Sequence, residues 1–331
     1  MTSSTAAPRL GGLALSSDQL PIIYPDDFIQ QDGRPTPSYR DKLRRIPNVR
    51  NAISVASVYV QTIGVVVLVV WINATYSSPF VWITWVVAFV LMGRAHAQFA
   101  SLMHEAAHRL LFSHKKLNDF VGNWLLGYPT MTSTPAYRRV HMAHHRQEFG
   151  PEEPDIPLYA NYPISSASFR RKLIRDATGQ TGFKLLSAQM RGLRSPDTRV
   201  RFTLIKMLSL QAVILAVCIA LGYPLLYLVM WVLPYMTVWR VINRLRSLAE
   251  HGGLRADIDR RVTTHSVRQS LLARFFLVPF NIGWHLAHHV DAGVPFRNLP
   301  AYHRHLHEAG YVTNQIEYPN YRSIWRACAS G

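Results

Sequence analysis

The sequence has few charged residues and few cysteines. Charged residues make up 17% of its 331 positions, below the roughly 25% that is usual in soluble proteins. The two cysteines, Cys218 and Cys328, are too few for the disulfide framework that stabilises small secreted domains. Residues 1–50 also lack an apolar core of signal-peptide length. We therefore predict a partly irregular N-terminal cytoplasmic tail there, and no secretory leader.

Acidic residues are scarce as well. The chain has 36 Lys and Arg against 19 Asp and Glu, which gives a formal net charge of +17. A soluble nucleic-acid-binding protein of this charge is expected to have basic clusters interleaved with exposed aromatic residues. Here the apolar residues instead form long uncharged blocks. This pattern favours a membrane protein and predicts no nucleic-acid partner.

Two segments contain no charged residue at all. The first covers residues 51–93 and is divided by the turn-forming sequence NATYSSP, and the second covers residues 207–239 and is divided by GYP. About 20 apolar residues are needed to cross a bilayer. We therefore predict an all-α polytopic membrane protein with about four transmembrane helices in two hairpins. The predicted spans are approximately residues 52–73, 79–102, 202–222 and 224–242.

The basic residues predict which side of the membrane each loop faces. Seven Lys and Arg lie in residues 1–50, sixteen in residues 104–206 and twelve from residue 240 onward, while the two short turns have none. Since basic loops stay in the cytoplasm, both termini and the active site are expected on that side. The predicted membrane domain covers residues 51–331, with a cytoplasmic cap from 103–201 and 243–331.

Nine of the fifteen histidines lie in four short motifs. HEAAH, HMAHH and HLAHH begin at residues 104, 141 and 285, and LAEHGG begins at residue 248. Side chains at positions i, i+3 and i+4 share one face of a helix, so HEAAH, HMAHH and HLAHH each present their imidazoles together. Imidazole is a common ligand of iron and zinc. The candidate metal ligands are His104, His108, His141, His144, His145, His251, His285, His288 and His289.

The first motif has two interpretations. His-Glu-x-x-His is the zinc signature of metalloproteases, in which Glu105 would act as general base. A zinc protease uses two histidines of that motif and one more ligand, which leaves six histidines unexplained. Two metals with four or five ligands each use all nine, and Glu105 then orients a ligand. A membrane zinc metalloprotease stays a remote alternative.

The other six histidines are expected to have packing or surface roles. His96 lies eight residues before His104, about 80° from its helical face, so we expect it to pack or to orient a ligand. His303, His305 and His307 alternate in AYHRHLHE. They are expected to lie in a solvated segment.

These motifs resemble those of the membrane-bound fatty acid desaturase family. HEAAHRLLFSHKKLNDFVGNWL is similar to the family's first histidine box, HMAHHRQEFGPEEPDIPLY to the second and NIGWHLAHH to the third. LAEHGG is similar to the additional histidine that precedes the third box. The resemblance covers residues 52 to about 300, and it implies a four-helix membrane domain with a histidine-rich diiron cap. It also implies two iron ions as cofactor and O2 as co-substrate.

One segment departs from the family's pattern. Many members follow the third box with an aromatic residue and a proline, whereas this chain has Val290, Asp291 and Ala292 there. AEHGG and NIGWH are similar to the sphingolipid-desaturase-like branch. The departure leaves the subfamily, and with it the substrate, open.

The resemblance implies O2-dependent desaturation of a lipid acyl chain or acyl thioester. The chain has no Rossmann glycine fingerprint, flavin motif or haem-attachment motif. An external electron donor is therefore expected, either ferredoxin-, rubredoxin- or cytochrome b5-like, with a reductase. The alternative is a hydroxylase or ketolase of the same superfamily that acts on a lipid, terpenoid or other hydrophobic metabolite.

The substrate is expected to approach along apolar segments near the histidines. Residues 120–131 and 271–284 are apolar but short for spanning, so they either line an acyl tunnel or pack beneath the histidines. Asn281 precedes His285 by four residues and is expected to share its helical face. The candidates for orienting a ligand or contacting substrate are Glu105, Asp155, Asn281 and His96.

Overall fold

The chain is mostly helical in its computed structural model, which describes residues 8–151, 153 and 155–331. Residues 1–7 of the predicted tail lie outside the described residues. The helices of the first half are α1 (Pro37–Leu43), α2 (Asn48–Thr75), α3 (Val81–Ala107), α4 (Lys115–Phe120), α5 (Thr134–Arg146), α6 (Ile156–Tyr159) and α7 (Ser166–Ala177). Short 3-10 helices cover Ser17–Gln19, Tyr128–Thr130 and Arg191–Arg194. A π-helical segment covers Val121–Gly127.

The second half contains the remaining helices and two short strands. The helices are α8 (Gln180–Met190), α9 (Thr198–Ala220), α10 (Pro224–Leu226), α11 (Leu233–Met236), α12 (Val238–His251), α13 (Arg260–Thr263), α14 (Leu271–Phe276), α15 (His285–Val290), α16 (Leu299–Glu308) and α17 (Tyr321–Cys328). A second π-helical segment covers Tyr227–Val232. The strands β1 (Ser266–Val267) and β2 (Glu317–Tyr318) pair in parallel. The all-α prediction is confirmed.

The described residues form two compact units. One contains residues 46–138 and 173–243, and we call it the span unit. The other contains the described residues of 8–45, 139–172 and 244–331, and we call it the histidine unit. The span unit holds the first histidine motif, and the histidine unit holds the other three.

Four helical stretches among the described residues are long and apolar enough to cross a membrane. They are Asn48–Thr75, Val81–Ala107, Thr198–Ala220 and Pro224–His251. This agrees with the predicted four spans, although the second and fourth helices continue further than the hydropathy alone indicates. As a result, the first motif lies on the last turns of α3, and α12 ends at His251.

Within the span unit, α3 is the most enclosed of these helices. In its most apolar stretch 61% of the residues are buried, against 22% in α2 and 17% in α9. The outer helices therefore present many apolar side chains outward, such as Val60 and Trp71 of α2. This is the arrangement expected where lipid replaces water as the solvent. The one guanidinium inside α3, that of Arg94, donates to the Gln61 and Gln98 side-chain oxygens, as a polar group at membrane depth requires.

The last membrane-length stretch is irregular at a proline. Pro234 has no N–H to continue the helical ladder, and a π-helical segment, Tyr227–Val232, precedes it. Thr237 then leaves helical geometry, with φ −118° and ψ −84°, before α12 begins at Val238. The irregularity at the proline is thus spread over the residues from Tyr227 to Thr237.

The histidine unit has a core of its own. Tyr162, Leu248, Val278, Ile324 and Cys328 are buried together in one cluster. The N-terminal segment is irregular but packs into this unit, because Gly11 N–H donates to Leu254 O at 3.0 Å and Leu13 N–H to Gly253 O at 2.8 Å.

Candidate metal centre

Three helices bring seven of the candidate ligands together in the histidine unit. α5 carries His141, His144 and His145 near its end, α15 carries all three histidines of HLAHH, and α12 ends at His251. The turn after α12 uses Gly253 at φ +74°, a left-handed conformation that favours glycine. All of these histidines except His145 are buried.

Their ring nitrogens fall into two sets. In the first, His285 Nε2 lies 3.0 Å from both His251 Nε2 and His289 Nε2. The donor nitrogens of His144, His251 and His289 also lie within 4.8 Å of one another. In the second set, His145 Nε2 lies 3.1 Å from the Nε2 atoms of both His141 and His288. The rings of His145 and His289 stack with centroids 4.3 Å apart, so the two sets adjoin.

These distances fit metal ligation better than hydrogen bonding. Two nitrogens that ligate one metal at ~2.1 Å and at right angles lie ~3.0 Å apart. A neutral imidazole has a single N–H. His285 Nε2 therefore cannot form two full hydrogen bonds with the two ring nitrogens that face it at 3.0 Å. The residues present fit a metal bound in each set.

Oxygen atoms behind the rings orient three of these imidazoles. His289 Nδ1–H donates to Glu148 Oε1 at 2.5 Å and His144 Nδ1–H to Glu153 Oε1 at 2.5 Å. His251 Nδ1–H donates to the Thr263 carbonyl at 2.9 Å. With the proton on Nδ1, the lone pair of Nε2 points toward the other rings, which is how metal-binding histidines are commonly held.

The carboxylates behind the rings were missed by the sequence analysis. Glu148 is fully buried and pairs with Arg260 at 2.6 Å. Burial raises the pKa of Glu148, and the Arg260 charge opposes that shift. Glu153 also accepts the Phe149 N–H. Both glutamates lie within eight residues of the second box, in the acidic stretch that follows it. Their closeness in sequence to the second box is the feature by which the sequence could have indicated them as partners of its histidines.

Burial has opposite outcomes at two of these rings. It lowers the pKa of His289 well below the usual value, and the neighbouring imidazoles lower it further. Burial also disfavours the charged form of His144, but the hydrogen bond to Glu153 and the charges of Glu153, Glu148 and Asp155 together raise the pKa of that ring. Neutral imidazole is the form that ligates metals.

The first box lies in the span unit. His104 is on the last turn of α3 and His108 caps that helix, with their ring centroids 4.7 Å apart. Glu105, next to His104, is buried as well. The i, i+4 pair shares one helical face, as the spacing predicts.

His96 packs inside the span unit. Its Nε2–H donates to the Trp231 carbonyl at 3.1 Å, and its ring contacts Trp231 and Tyr235 at centroid distances of 4.3 and 5.4 Å. A packing role therefore accounts for this histidine.

Asn281 does not share a helical face with His285, and that expectation is wrong. α15 begins at His285. Phe280 and Asn281 both have positive φ, a left-handed conformation that a right-handed helix does not contain, so Asn281 is not part of α15. The Asn281 side-chain oxygen instead accepts from Arg274 at 3.1 Å. Asp155 precedes α6, and burial raises its pKa while the nearby charge of His144 opposes the shift.

Comparison with known proteins connects this site to a family. A family model described as fatty acid desaturase matches residues 80–318, a range that contains all nine candidate ligands. Dihydrorhizobitoxine desaturase from Bradyrhizobium elkanii is similar, with 25% identity over 230 residues. That match covers 65% of this chain and 65% of the relative, which is less than two thirds of the relative's length.

Proposed function

We propose, because the chain belongs to the fatty acid desaturase family, that it catalyses O2-dependent desaturation of a lipid acyl chain at a diiron centre. The nine histidines of the four motifs are the proposed ligands. The observation that carries the proposal is the convergence of imidazole Nε2 atoms at 3.0–3.1 Å. For His104 and His108 the support is the spacing of the first box and the family match.

When bound, two irons would supply the oxidising power that removes two hydrogens from an unactivated C–C unit; these hydrogens, O2, two electrons and two protons together give two water molecules. The protein's part is to hold the ligands in orientations that bind the metals. Glu148 and Glu153 keep the protons of His289 and His144 on Nδ1. Burial excludes water from these rings, which protects a reactive site from side reactions.

An apolar cavity in the span unit supports a hydrophobic substrate. Its volume is about 520 Å³, and α2, α9 and the π-helical segments supply its walls. Its lining includes Tyr59, Val66, Trp124, Ile214, Met230 and Trp231. Trp124 comes from the apolar segment 120–131, which the sequence analysis assigned either to a tunnel wall or to packing. A cavity of this size and polarity suits an acyl chain.

A polar pocket of about 340 Å³ in the histidine unit favours a second candidate function. Arg34, Arg40 and Arg44 line it together with His145 and His289, and Asp291, which also lines it, pairs with Arg44 at 2.6 Å. An anionic group on a smaller substrate would bind guanidinium groups of this kind. The relative is named for dihydrorhizobitoxine and not for a fatty acid. Oxidation of such a molecule at the same histidines is the second candidate.

Hydroxylation or ketolation by the same centre differs from desaturation in the product. The substrate's position relative to the metals decides whether a second hydrogen or an oxygen is transferred. With 18O-labelled O2, a desaturation product contains no label and a hydroxylated product contains one labelled oxygen. This measurement separates the two reactions.

The electrons are proposed to come from an external carrier on the cytoplasmic side. The concentration of Lys and Arg in the segments outside the spans supports this orientation. Turnover with a ferredoxin-, rubredoxin- or cytochrome b5-like donor and its reductase tests the partner. A rate that does not change with the donor's identity or concentration would contradict it.

The first test is elemental analysis of the detergent-purified protein. We expect about two irons per chain, lost in His145→Ala and retained in His114→Asn. His114 caps α4 through its ring nitrogen, and asparagine can also cap a helix. One zinc per chain, retained in His145→Ala and lost in His104→Ala, would instead support the metalloprotease interpretation.

A further inference from the structure

A second group of metal-binding side chains lies in the histidine unit, outside the motifs used above. His303 and His307 are four residues apart on α16 and face Glu317 of β2. His303 Nε2 lies 3.0 Å from Glu317 Oε1, and His307 Nε2 lies 3.2 Å from Glu317 Oε2. The sequence analysis placed these histidines in a solvated segment. They are instead held against a carboxylate.

The carboxylate is held in place from its other side. Pairing of β1 with β2 sets Ser266 opposite Glu317, and the Ser266 hydroxyl donates to Oε1 at 2.9 Å. Arg268 Nε donates to Oε2 at 3.2 Å. Ligating carboxylates are commonly anchored by such hydrogen bonds. The Glu317 side chain is thus preorganised before any metal binds.

The three side chains of this group differ in their exposure to solvent. The side chains of Glu317, His303 and His307 are 3%, 12% and 31% exposed. The carboxylate therefore lies at the bottom, and one imidazole lies at an edge that water and ions reach. An ion can enter from that edge, and a water molecule can complete its coordination.

The donor set matches a known type of metal ligation. Two imidazoles and one carboxylate, with a water in the fourth position, form a common zinc site. Donors at ~2.1 Å from a tetrahedral metal lie ~3.4 Å apart, and at right angles ~3.0 Å apart. The observed separations, 3.0 Å from His303 Nε2 to Oε1 and 3.2 Å from His307 Nε2 to Oε2, lie in or near this range, and one ligand atom from each of the three residues lies within 4.8 Å of the others.

We propose that His303, His307 and Glu317 bind a divalent transition metal, with zinc as the expected occupant, at a site separate from the nine-histidine centre. The metal joins α16 to β2 and closes the segment 309–316 between them. A bound metal would fasten the C-terminal part of the unit. The proposal does not depend on the chain's reaction.

The competing explanation is an ion-pair network in which the histidines neutralise Glu317. Arg268 already pairs with this carboxylate, so neither imidazole is needed as a counter-charge, and neutral imidazole is the ligating form. The half-exposed Arg268 side chain opposes a bound cation only weakly, since water screens its charge.

The test uses the full-length chain, purified in detergent through a tag without histidines. We expect about one zinc per chain beyond the iron. The double variant His303→Gln/His307→Gln should lose that zinc and keep the iron. The matched control is His305→Gln on the same helix, whose ring stacks on Phe28 at 4.2 Å. It should keep both metals.

A second variant and a spectroscopic probe guard against loss by misfolding. Glu317→Gln keeps the shape of the carboxylate and should lose zinc while iron is retained. Protein expressed in zinc-depleted medium and titrated with Co²⁺ should show the visible bands of a tetrahedral site, and these bands should be absent from the double variant. Equal zinc in the wild type and in the double variant would overturn the proposal. So would the loss of iron together with zinc in both variants.

Discussion

The two histidine clusters of the histidine unit differ in where their carboxylates lie. In the cluster formed by the seven histidines of α5, α12 and α15, Glu148 and Glu153 contact the Nδ1 atoms of His289 and His144, behind rings whose Nε2 atoms face one another. In the second cluster, Glu317 lies in front and meets the Nε2 atoms of His303 and His307 directly. A carboxylate behind an imidazole orients a ligand, whereas one in front can itself be a ligand. The same residue types therefore form an all-imidazole site and a mixed one.

Removing an imidazole from the larger cluster tests the comparison most severely. His289→Ala removes the ring that contacts both His285 and Glu148. We expect iron to be lost and turnover to fall by more than about 100-fold, beyond the effect typical of residues that only orient a ligand. Iron analysis and product formation measure this. His303→Gln leaves these rings intact and should therefore leave the iron content unchanged. Loss of iron in this variant would indicate that the two clusters act as one metal site.

Removing a carboxylate behind the rings should have a smaller effect. Glu148→Gln keeps the shape of the side chain but weakens the acceptor for His289 Nδ1–H. Metal affinity or turnover should fall by about 10–100-fold, measured as iron retained against a chelator series. Glu308→Gln, at an exposed glutamate of α16, serves as the control. An unchanged metal affinity in Glu148→Gln would contradict the role of this carboxylate in orienting His289, and with it the proposed difference between the two clusters.

Narrowing the apolar cavity should change substrate selection without touching either cluster. Val66→Phe adds volume to a lining residue of α2, and we expect kcat/KM for a long acyl substrate to fall about tenfold. Iron content should stay at the wild-type value. Val60→Phe, on the same helix but at an outward-facing position, is the matched control. Equal effects from both substitutions would indicate a general perturbation of α2.

The smallest expected effect concerns a buried histidine outside both clusters. His265 donates to Gly252 O at 2.9 Å, and burial lowers its pKa to about 4. In the unfolded chain His265 binds a proton below about pH 6.5, whereas in the folded chain it binds one only below about pH 4. The free energy of unfolding therefore falls as the pH drops from about 6.5 to about 4. His265→Gln should remove about 2 kcal/mol of that dependence between pH 7 and pH 5. Thermal unfolding at pH 7 and pH 5 in detergent measures it, and an unchanged pH dependence would contradict the assignment.

Much of the fold was predictable because its signals are local. Uncharged segments predict spans wherever about 20 apolar residues follow one another, and the i, i+4 spacing in HEAAH predicts a shared helical face. The helix ends were less accessible, because α3 continues past the apolar stretch as far as Ala107. The expectation for Asn281 was wrong because Phe280 and Asn281 adopt positive φ. The four-residue spacing between Asn281 and His285 does not predict this backbone conformation.

The sequence by itself determined the membrane class and the identity of the candidate ligands, because hydropathy and periodicity act over a few helical turns; the family followed from the resemblance of its histidine motifs. Tertiary structure alone decided how those ligands divide into two sets, and which carboxylates stand behind them. It also brought Glu317 to His303 and His307 through a parallel pairing of two short strands. These contacts join segments far apart in the chain, and their formation depends on packing that no local pattern encodes.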